Sequence, residues 1–283
     1  MFIPIHKVPA DIAPKYQDFF MLVNWGGKRT VVHTPHRHAF NELIFMLNDG
    51  GTHDIDFCSY EIVAGSAHFV HAAQVHQINR TNEASGCSLL FSNDFLLNSP
   101  NGKQILDTLP FSQQITPVVQ FDVQAFEQIK HILKQIEIEY TNNKPDKLDM
   151  IRSQLQVLFL YIKRHYKGAI VDSKHNNSVV QHFLELIEQH YQQNWSLPDY
   201  AAKLHISVNY LADICKRETQ QTAHQHIQNR ILLEAKRLLC YSTISVKEIA
   251  YQLGFEDTAY FSRFFKKNSY VSPLEYRNAG KIR

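Results

Sequence analysis
Along the N-terminal third of the chain, apolar residues come in short β-rich or alternating runs, at 19–23, 42–47, 53–57, 67–70 and 88–91. Turn formers separate them, among them Asn48, Asp49, Gly50 and Gly51, and later Ala64, Gly65 and Ser66. Many short strands at close spacing predict a small β-barrel or sandwich. Past residue 122 the apolar period lengthens to that of a helix. Behind Asp122, a good N-cap, lie Phe126, Ile129, Ile132, Leu133, Ile136 and Tyr140, and a second stripe of Ile151, Leu155, Leu158, Phe159 and Ile162 runs through 147–167. The two stripes predict a helical hairpin, packed on the barrel or meeting the same surface of a second copy. Residues 168–178 are polar and without period, a linker that extends to at most about 36 Å. The expected organisation is therefore 1–122 barrel, 123–167 hairpin, 168–178 linker and 179–283 an all-α domain.

That last domain contains a repeat. Tyr210-Leu-Ala-Asp-Ile-Cys-Lys-Arg217 and Tyr260-Phe-Ser-Arg-Phe-Phe-Lys-Lys267 each read aromatic, apolar, two polar or small, two apolar, two basic. A short helix and a turn precede each copy, at 198–204 and 245–253, and helix, turn, helix is the unit placed in a DNA major groove. Val179, Val180, Phe183, Leu184, Ile187 and Tyr191 form the first core-facing helix. Ser196 caps the next, with Pro198 in its first turn. Residues 228–241 form a long connector with Ile231, Leu232, Ala235, Leu238 and Leu239 inside and Arg230 and Arg237 more exposed.

Ser207 caps the first recognition helix, Ser245 and Glu248 form a capping box, and Gly254 makes the turn before the second. If Leu211, Ile214 and Cys215 face inward, Asn209, Ala212, Asp213 and Lys216 face out; if Phe261, Phe264 and Phe265 are buried, Thr258, Ala259, Ser262, Arg263 and Lys266 are outward. Arg263 can donate a two-pronged hydrogen bond to guanine, worth about 1 to 3 kcal/mol of discrimination. Asn209 suits adenine, Ala212 or Ala259 a thymine methyl, and Asp213 cytosine N4. Lys216, Arg217, Lys266 and Lys267, near helix C-termini, suit phosphates or solvent.

The second copy, 245–267 with Ser272-Pro273 and Tyr276-Arg277, closely resembles the signature of AraC/XylS-type transcription regulators over roughly the last hundred residues. Where that family usually has glycine after each recognition helix, this chain has Gln220 and Tyr270, which predicts another turn geometry at both places. The resemblance implies a cytoplasmic, DNA-binding transcription regulator, leaning towards activation with RNA polymerase as partner, and a homodimer governed by a small-molecule effector.

Pro35-His36-Arg37-His38-Ala39-Phe40-Asn41-Glu42, followed by Gly65 and His76, is similar to the cupin barrel that such regulators often carry. His36, His38 and Glu42 match its first motif; Gly65 and His76 match the second, in which His71 and Ala73 replace the usual Pro and Gly. The fold expected is thus multidomain α and β, a cupin-like β-barrel with a helical hairpin before a double helix-turn-helix domain. In metal-binding cupins the positions of His36, His38, Glu42 and His76 are the ligands, and imidazoles with a carboxylate suit a divalent first-row ion. The same four are the candidate effector site if no metal binds. His33, His53, His68 and His71 read as surface or strand-filling residues without a role. Two rivals stand beside the regulator: a metal-dependent cupin enzyme or metal sensor fused to a DNA-binding domain, and an architectural DNA binder without a ligand.

Composition narrows the classes. With 283 residues, 44% hydrophobic and 20% charged, the chain is long enough for two globular domains and is not of disordered composition. The net charge of +2 is unevenly placed, since residues 230–283 hold ten Lys/Arg against five Asp/Glu, leaving nineteen against twenty-two elsewhere. Positive charge gathers on the helix-turn-helix region. Cys58, Cys87, Cys215 and Cys240 lack CxxC spacing and read as reduced structural cysteines. No signal peptide is visible in residues 1–7, and no apolar run approaches the about 18 residues of a membrane span.

Overall fold
The computed structural model describes residues 3, 5–6, 19–26, 34–99, 102, 116–142, 144–165 and 178–280. The chain divides into two compact units, one Pro4–Asp172, the other Ser173–Arg283 with Met1–Ile3. Most of the expected linker, and His33, lie outside the described residues.

Among the described residues, the first unit holds ten strands in two sheets. They are β1 (Ile5–His6), β2 (Phe20–Trp25), β3 (His36–His38), β4 (Asn41–Met46), β5 (Gly51–Ile55), β6 (Cys58–Glu61), β7 (Ser66–Val70), β8 (Val75–Arg80), β9 (Gly86–Phe91) and β10 (Val118–Gln120). One sheet runs β1-β3-β8-β5-β6, the other β10-β7-β4-β9-β2, and all neighbours are antiparallel except β1 with β3. A short helix, α1 (Asn93–Leu97), follows β9, and two longer ones, α2 (Val123–Thr141) and α3 (Lys147–His165), form the hairpin.

Every residue of β4, β7 and β9 is buried, because their sheet is covered on both faces. Leu43, Phe45, Ala67, Phe69, Leu89 and Phe91 join one core with Ile129, Ile136, Ile151, Leu155 and Phe159 of the hairpin. Ile44, Met46 and Val70, on the opposite face, pack with Ile55 and Ile78 of the other sheet. The two hairpin stripes read in the sequence are thus spent inside the chain, with only Tyr140 half-buried.

The second unit is helical: α4 (Ser178–His190), α5 (Leu197–Lys203), α6 (Val208–Thr219), α7 (Ala223–Tyr241), α8 (Val246–Gln252), α9 (Thr258–Ser269) and α10 (Pro273–Gly280). Val180, Phe183, Ile187, Tyr200, Leu211, Ile214 and Cys215 build its first core. Leu184, expected inside, is exposed on α4, and Leu186 packs on the core instead. Phe264 is half-buried, whereas Phe261 and Phe265 are enclosed. Gly254 turns the chain at φ 80°, and an added Cβ there would lie 2.6 Å from the Gln192 carbonyl oxygen.

Two expectations are corrected. Gln220 and Tyr270 do not force a different turn; they adopt φ 59° and 66°, the left-handed conformation glycine would supply, and close α6 and α9 in the same way. Arg230 and Arg237 are buried on α7 rather than exposed, together with Glu234. Arg230 donates to Glu188 Oε2 at 2.7 Å and to Glu234 at 3.3 Å, Arg237 donates to Glu234 at 3.4 Å, and the Arg230 guanidinium stacks 3.8 Å from the Tyr191 ring. Mutual pairing is what lets these charges leave water. Among the described residues no helix is long and apolar enough to cross a membrane.

Candidate functional site
Each recognition helix is positioned by its cap and its inward aromatic or aliphatic residues. Ser207 Oγ accepts from the Tyr210 amide at 3.2 Å to start α6, while Leu211, Ile214 and Cys215 anchor the inner face. That leaves Asn209, Asp213, Lys216 and Arg217 exposed and Ala212 half-buried. For α9 the cap is Asp257, whose carboxylate accepts from the Ala259 and Tyr260 amides at 3.0 and 2.9 Å. Those bonds hold its carboxyl below the usual range. Ala259, Arg263, Lys266 and Lys267 are exposed, and Thr258 and Ser262 half-buried.

Several of these side chains have local partners. Ser262 Oγ donates to the Thr258 carbonyl at 2.9 Å, Lys216 Nζ donates to the Gln220 carbonyl at 3.1 Å, and Arg217 Nε donates to Glu218 at 3.0 Å. Arg263 is 71% exposed and its guanidinium lies 3.9 Å from Asp257. An exposed pair at that distance is worth little, so the fork stays available to another acceptor. Tyr210 and Tyr260, equivalent in the repeat, are also exposed at the start of the two helices; the alignment of the copies marks them, although inward-outward reasoning passed them over.

The family profile described as "Helix-turn-helix domain" matches residues 200–279, the stretch that carries both recognition helices. The chain is similar to the HTH-type transcriptional activator RhaR of Mannheimia succiniciproducens, 25% identical over 86% of each chain. Residues 200–279 are a helix-turn-helix domain, and the chain is a DNA-binding regulator similar to AraC-type activators. The regulator is also similar to the activator RhaS of Citrobacter koseri, 24% identical over 98% of this chain and 94% of that one. Among solved structures, ToxT of Vibrio cholerae aligns with 92% of the regulator and 97% of its own chain, at 14% identity and TM-score 0.42.

The second cluster of the regulator lies between its sheets. β3 and β8 pair with His36 opposite His76, and β4 brings Glu42 from the facing sheet. All four residues named from the motif converge: ligand atoms of His36, His38 and His76 lie within 4.8 Å of one another, and Glu42 Oε2 is 3.4 Å from His38 Nε2 and 3.7 Å from His76 Nε2. All four are buried. Burial alone would raise the Glu42 carboxyl, but the hydrogen bond from His38, the histidine charges and a bond from Ser88 outweigh it and hold it at about 2. Burial pushes His76 well below its usual value against the pull of Glu42, so it is neutral at pH 7. His76 Nε2 is an enclosed atom without a hydrogen-bond partner. Imidazoles around an ionised carboxylate are the donor set of a divalent first-row ion, and the four residues fit one.

His53 and His68 are not surface residues. Both are wholly buried, with His53 Nε2 3.0 Å from His76 Nδ1 and His53 Nδ1 3.1 Å from His68 Nδ1. Sequence reasoning passed them over because neither belongs to the motif; the available signal was strand parity, which puts His53 on the same face of β5 as Ile55 and His68 on the same face of β7 as Val70. His71, at a turn, lies half-buried and bonds the Ala72 carbonyl at 2.7 Å.

Proposed function
We propose that the regulator is a sequence-specific transcription activator whose two recognition helices read one face of duplex DNA. The supporting observation is that α6 and α9, capped and anchored alike, leave equivalent positions exposed in both copies. Successive major grooves are about 34 Å apart, so one chain would read two segments a helical turn apart. In this reading Arg263 takes guanine, Asn209 adenine, Ala212 and Ala259 thymine methyls, and Asp213 a cytosine amine. Lys216, Arg217, Lys266 and Lys267, with the Tyr210 and Tyr260 hydroxyls, hold phosphates. Ser207, Thr258 and Ser262 lie beside them and shape the surface, their hydroxyls serving their own helices where Ser207 and Ser262 are concerned. The activator names of the relatives support activation rather than repression, and RNA polymerase in the cytoplasm is the partner such a role would recruit.

A homodimer would use the outer face of the hairpin, where Met150, Val157 and Leu160 are exposed at helical spacing. The barrel senses rather than catalyses. An effector at His36, His38, Glu42 and His76 acts by binding one arrangement of the chain better than another, and can shift the balance only by that difference in affinity. A divalent metal ion is the occupant favoured by the donor set.

A gel-shift selection over mixed sequences tests the DNA reading. Arg263→Ala should weaken binding to the selected site by about 1 to 3 kcal/mol and relax one base position. Lys267→Ala should instead weaken all sequences alike and flatten the salt dependence. Sequence-blind binding by the unaltered protein at every salt concentration refutes the proposal.

A further inference from the structure
The hydrogen bonds behind His76 have a fixed polarity. Ser66 has one hydroxyl proton, and Oγ donates it to the Val63 carbonyl at 2.7 Å. Toward His68 Nε2, 3.2 Å away, Ser66 Oγ can then only accept, so His68 carries its proton on Nε2. Burial keeps His68 neutral, which leaves an electron pair on Nδ1. His53 Nδ1, 3.1 Å away, must be the donor in that contact, and its Nε2 must in turn accept. His76 therefore donates from Nδ1 to His53 Nε2, and its Nε2, enclosed and without a hydrogen-bond partner, is the nitrogen it presents to the cluster.

That nitrogen lies in the cluster of His36, His38 and Glu42, 3.7 Å from the Glu42 carboxylate. His36 is arranged alike: its Nδ1 lies 2.8 Å from the Thr34 carbonyl, which can only accept, so Nδ1 carries a proton and Nε2 is the nitrogen left for a cation. Ser66, His68 and His53 lie outside the four-residue motif, yet through His53 they determine what His76 presents.

We propose that Ser66, His68 and His53 are positioning residues for a metal cation: their ordered hydrogen bonds hold His76 in the tautomer whose Nε2 donates an electron pair to a divalent first-row ion shared with His36, His38 and Glu42. This rests on reading those four residues as the effector site. Outer partners of a metal-bound histidine fix its ring orientation and raise its basicity, and losing one typically costs about 10- to 100-fold in metal affinity.

The test is Co²⁺ titration of the full chain, followed by visible absorption and by competition with Zn²⁺. His53→Leu should bind Co²⁺ about 10- to 100-fold more weakly, with the metal-free protein still folded by circular dichroism. His53→Gln should restore most of the affinity, because its amide can accept from His76 Nδ1 and donate to His68 Nδ1. Ser66→Ala, a milder change at the far end, should give a smaller loss in the same direction and stands in if His53→Leu does not fold. Unchanged Co²⁺ affinity in folded His53→Leu or in Ser66→Ala overturns the relay alone. No Co²⁺ bound by the unaltered chain, or binding untouched by His36→Ala and His38→Ala together, overturns the metal reading beneath it.

Discussion
Gln220 and Tyr270 occupy the left-handed region where a side chain is normally disfavoured by about 1 to 2 kcal/mol per residue. Each follows a recognition helix and directs its amide back to the carbonyl four residues earlier, Lys216 or Lys266. Replacing either by glycine removes that cost but enlarges the freedom of the unfolded chain. Gln220→Gly and Tyr270→Gly should therefore each raise stability by about 0.5 to 1 kcal/mol in urea unfolding. Tyr270 is 89% exposed, so little packing is lost with its ring. A net loss of stability in both variants would show that the turn is relaxed with its native residue. The sequence announced these turns through the repeat, but the missing glycines misled, because the helix end fixes φ more strongly than the residue's own preference.

At the scale of elements, what could be read followed from how far each element is amphipathic. The stripes of α2 and α3 were plain because one face alone is covered, and β4 and β9 stood out because both faces are. β6 and β8 were missed: β6 is an edge strand with its residues largely exposed, and β8 mixes Val75 and Ile78 with polar residues. The charged residues of α7 were misplaced because Arg230, Glu234 and Arg237 share a stripe with the apolar ones and become buried only by pairing. Glu234→Leu removes the carboxylate between two buried guanidinium groups and should cost about 3 to 5 kcal/mol. A loss under 1 kcal/mol would mean that the arginines find other acceptors.

Within β7, His68 faces Ser66, His53 and the Tyr60 ring, and burial pushes it down to about 4 from 6.5. The unfolded chain thus takes up a proton before the folded one does. Stability from this residue is full above pH 6.5 and falls as pH drops toward 4. Urea unfolding at pH 5 should show about 2 kcal/mol less stability than at pH 7 from this group alone. His68→Leu should flatten that slope, and an equally steep slope in the variant would assign the acid sensitivity elsewhere.

For the whole molecule, the two units Pro4–Asp172 and Ser173–Arg283 have separate cores, one around the sheets and hairpin and one around α4 to α7. Thermal unfolding should accordingly show two transitions. Co²⁺ at about 100 times its dissociation constant should stabilise the first unit by about 2.7 kcal/mol and leave the second where it was. A single transition that shifts as one would contradict that independence. The helix-turn-helix assignment was readable in the sequence because the same phrase occurs twice; the relay behind His76 was not, since Ser66, His68 and His53 meet only through the pairing of distant strands.

The two copies, finally, are alike in build and different in what they offer. Asp213 stands in α6 where Arg263 stands in α9, and Cys215 where Phe265 does. With both heads reading bases as proposed, a target of one chain would not be a mirror of itself: the sequence under the second head could not be exchanged with that under the first. Such a site has a direction along the double helix, and inverting it would turn the rest of the chain towards the opposite end of the gene.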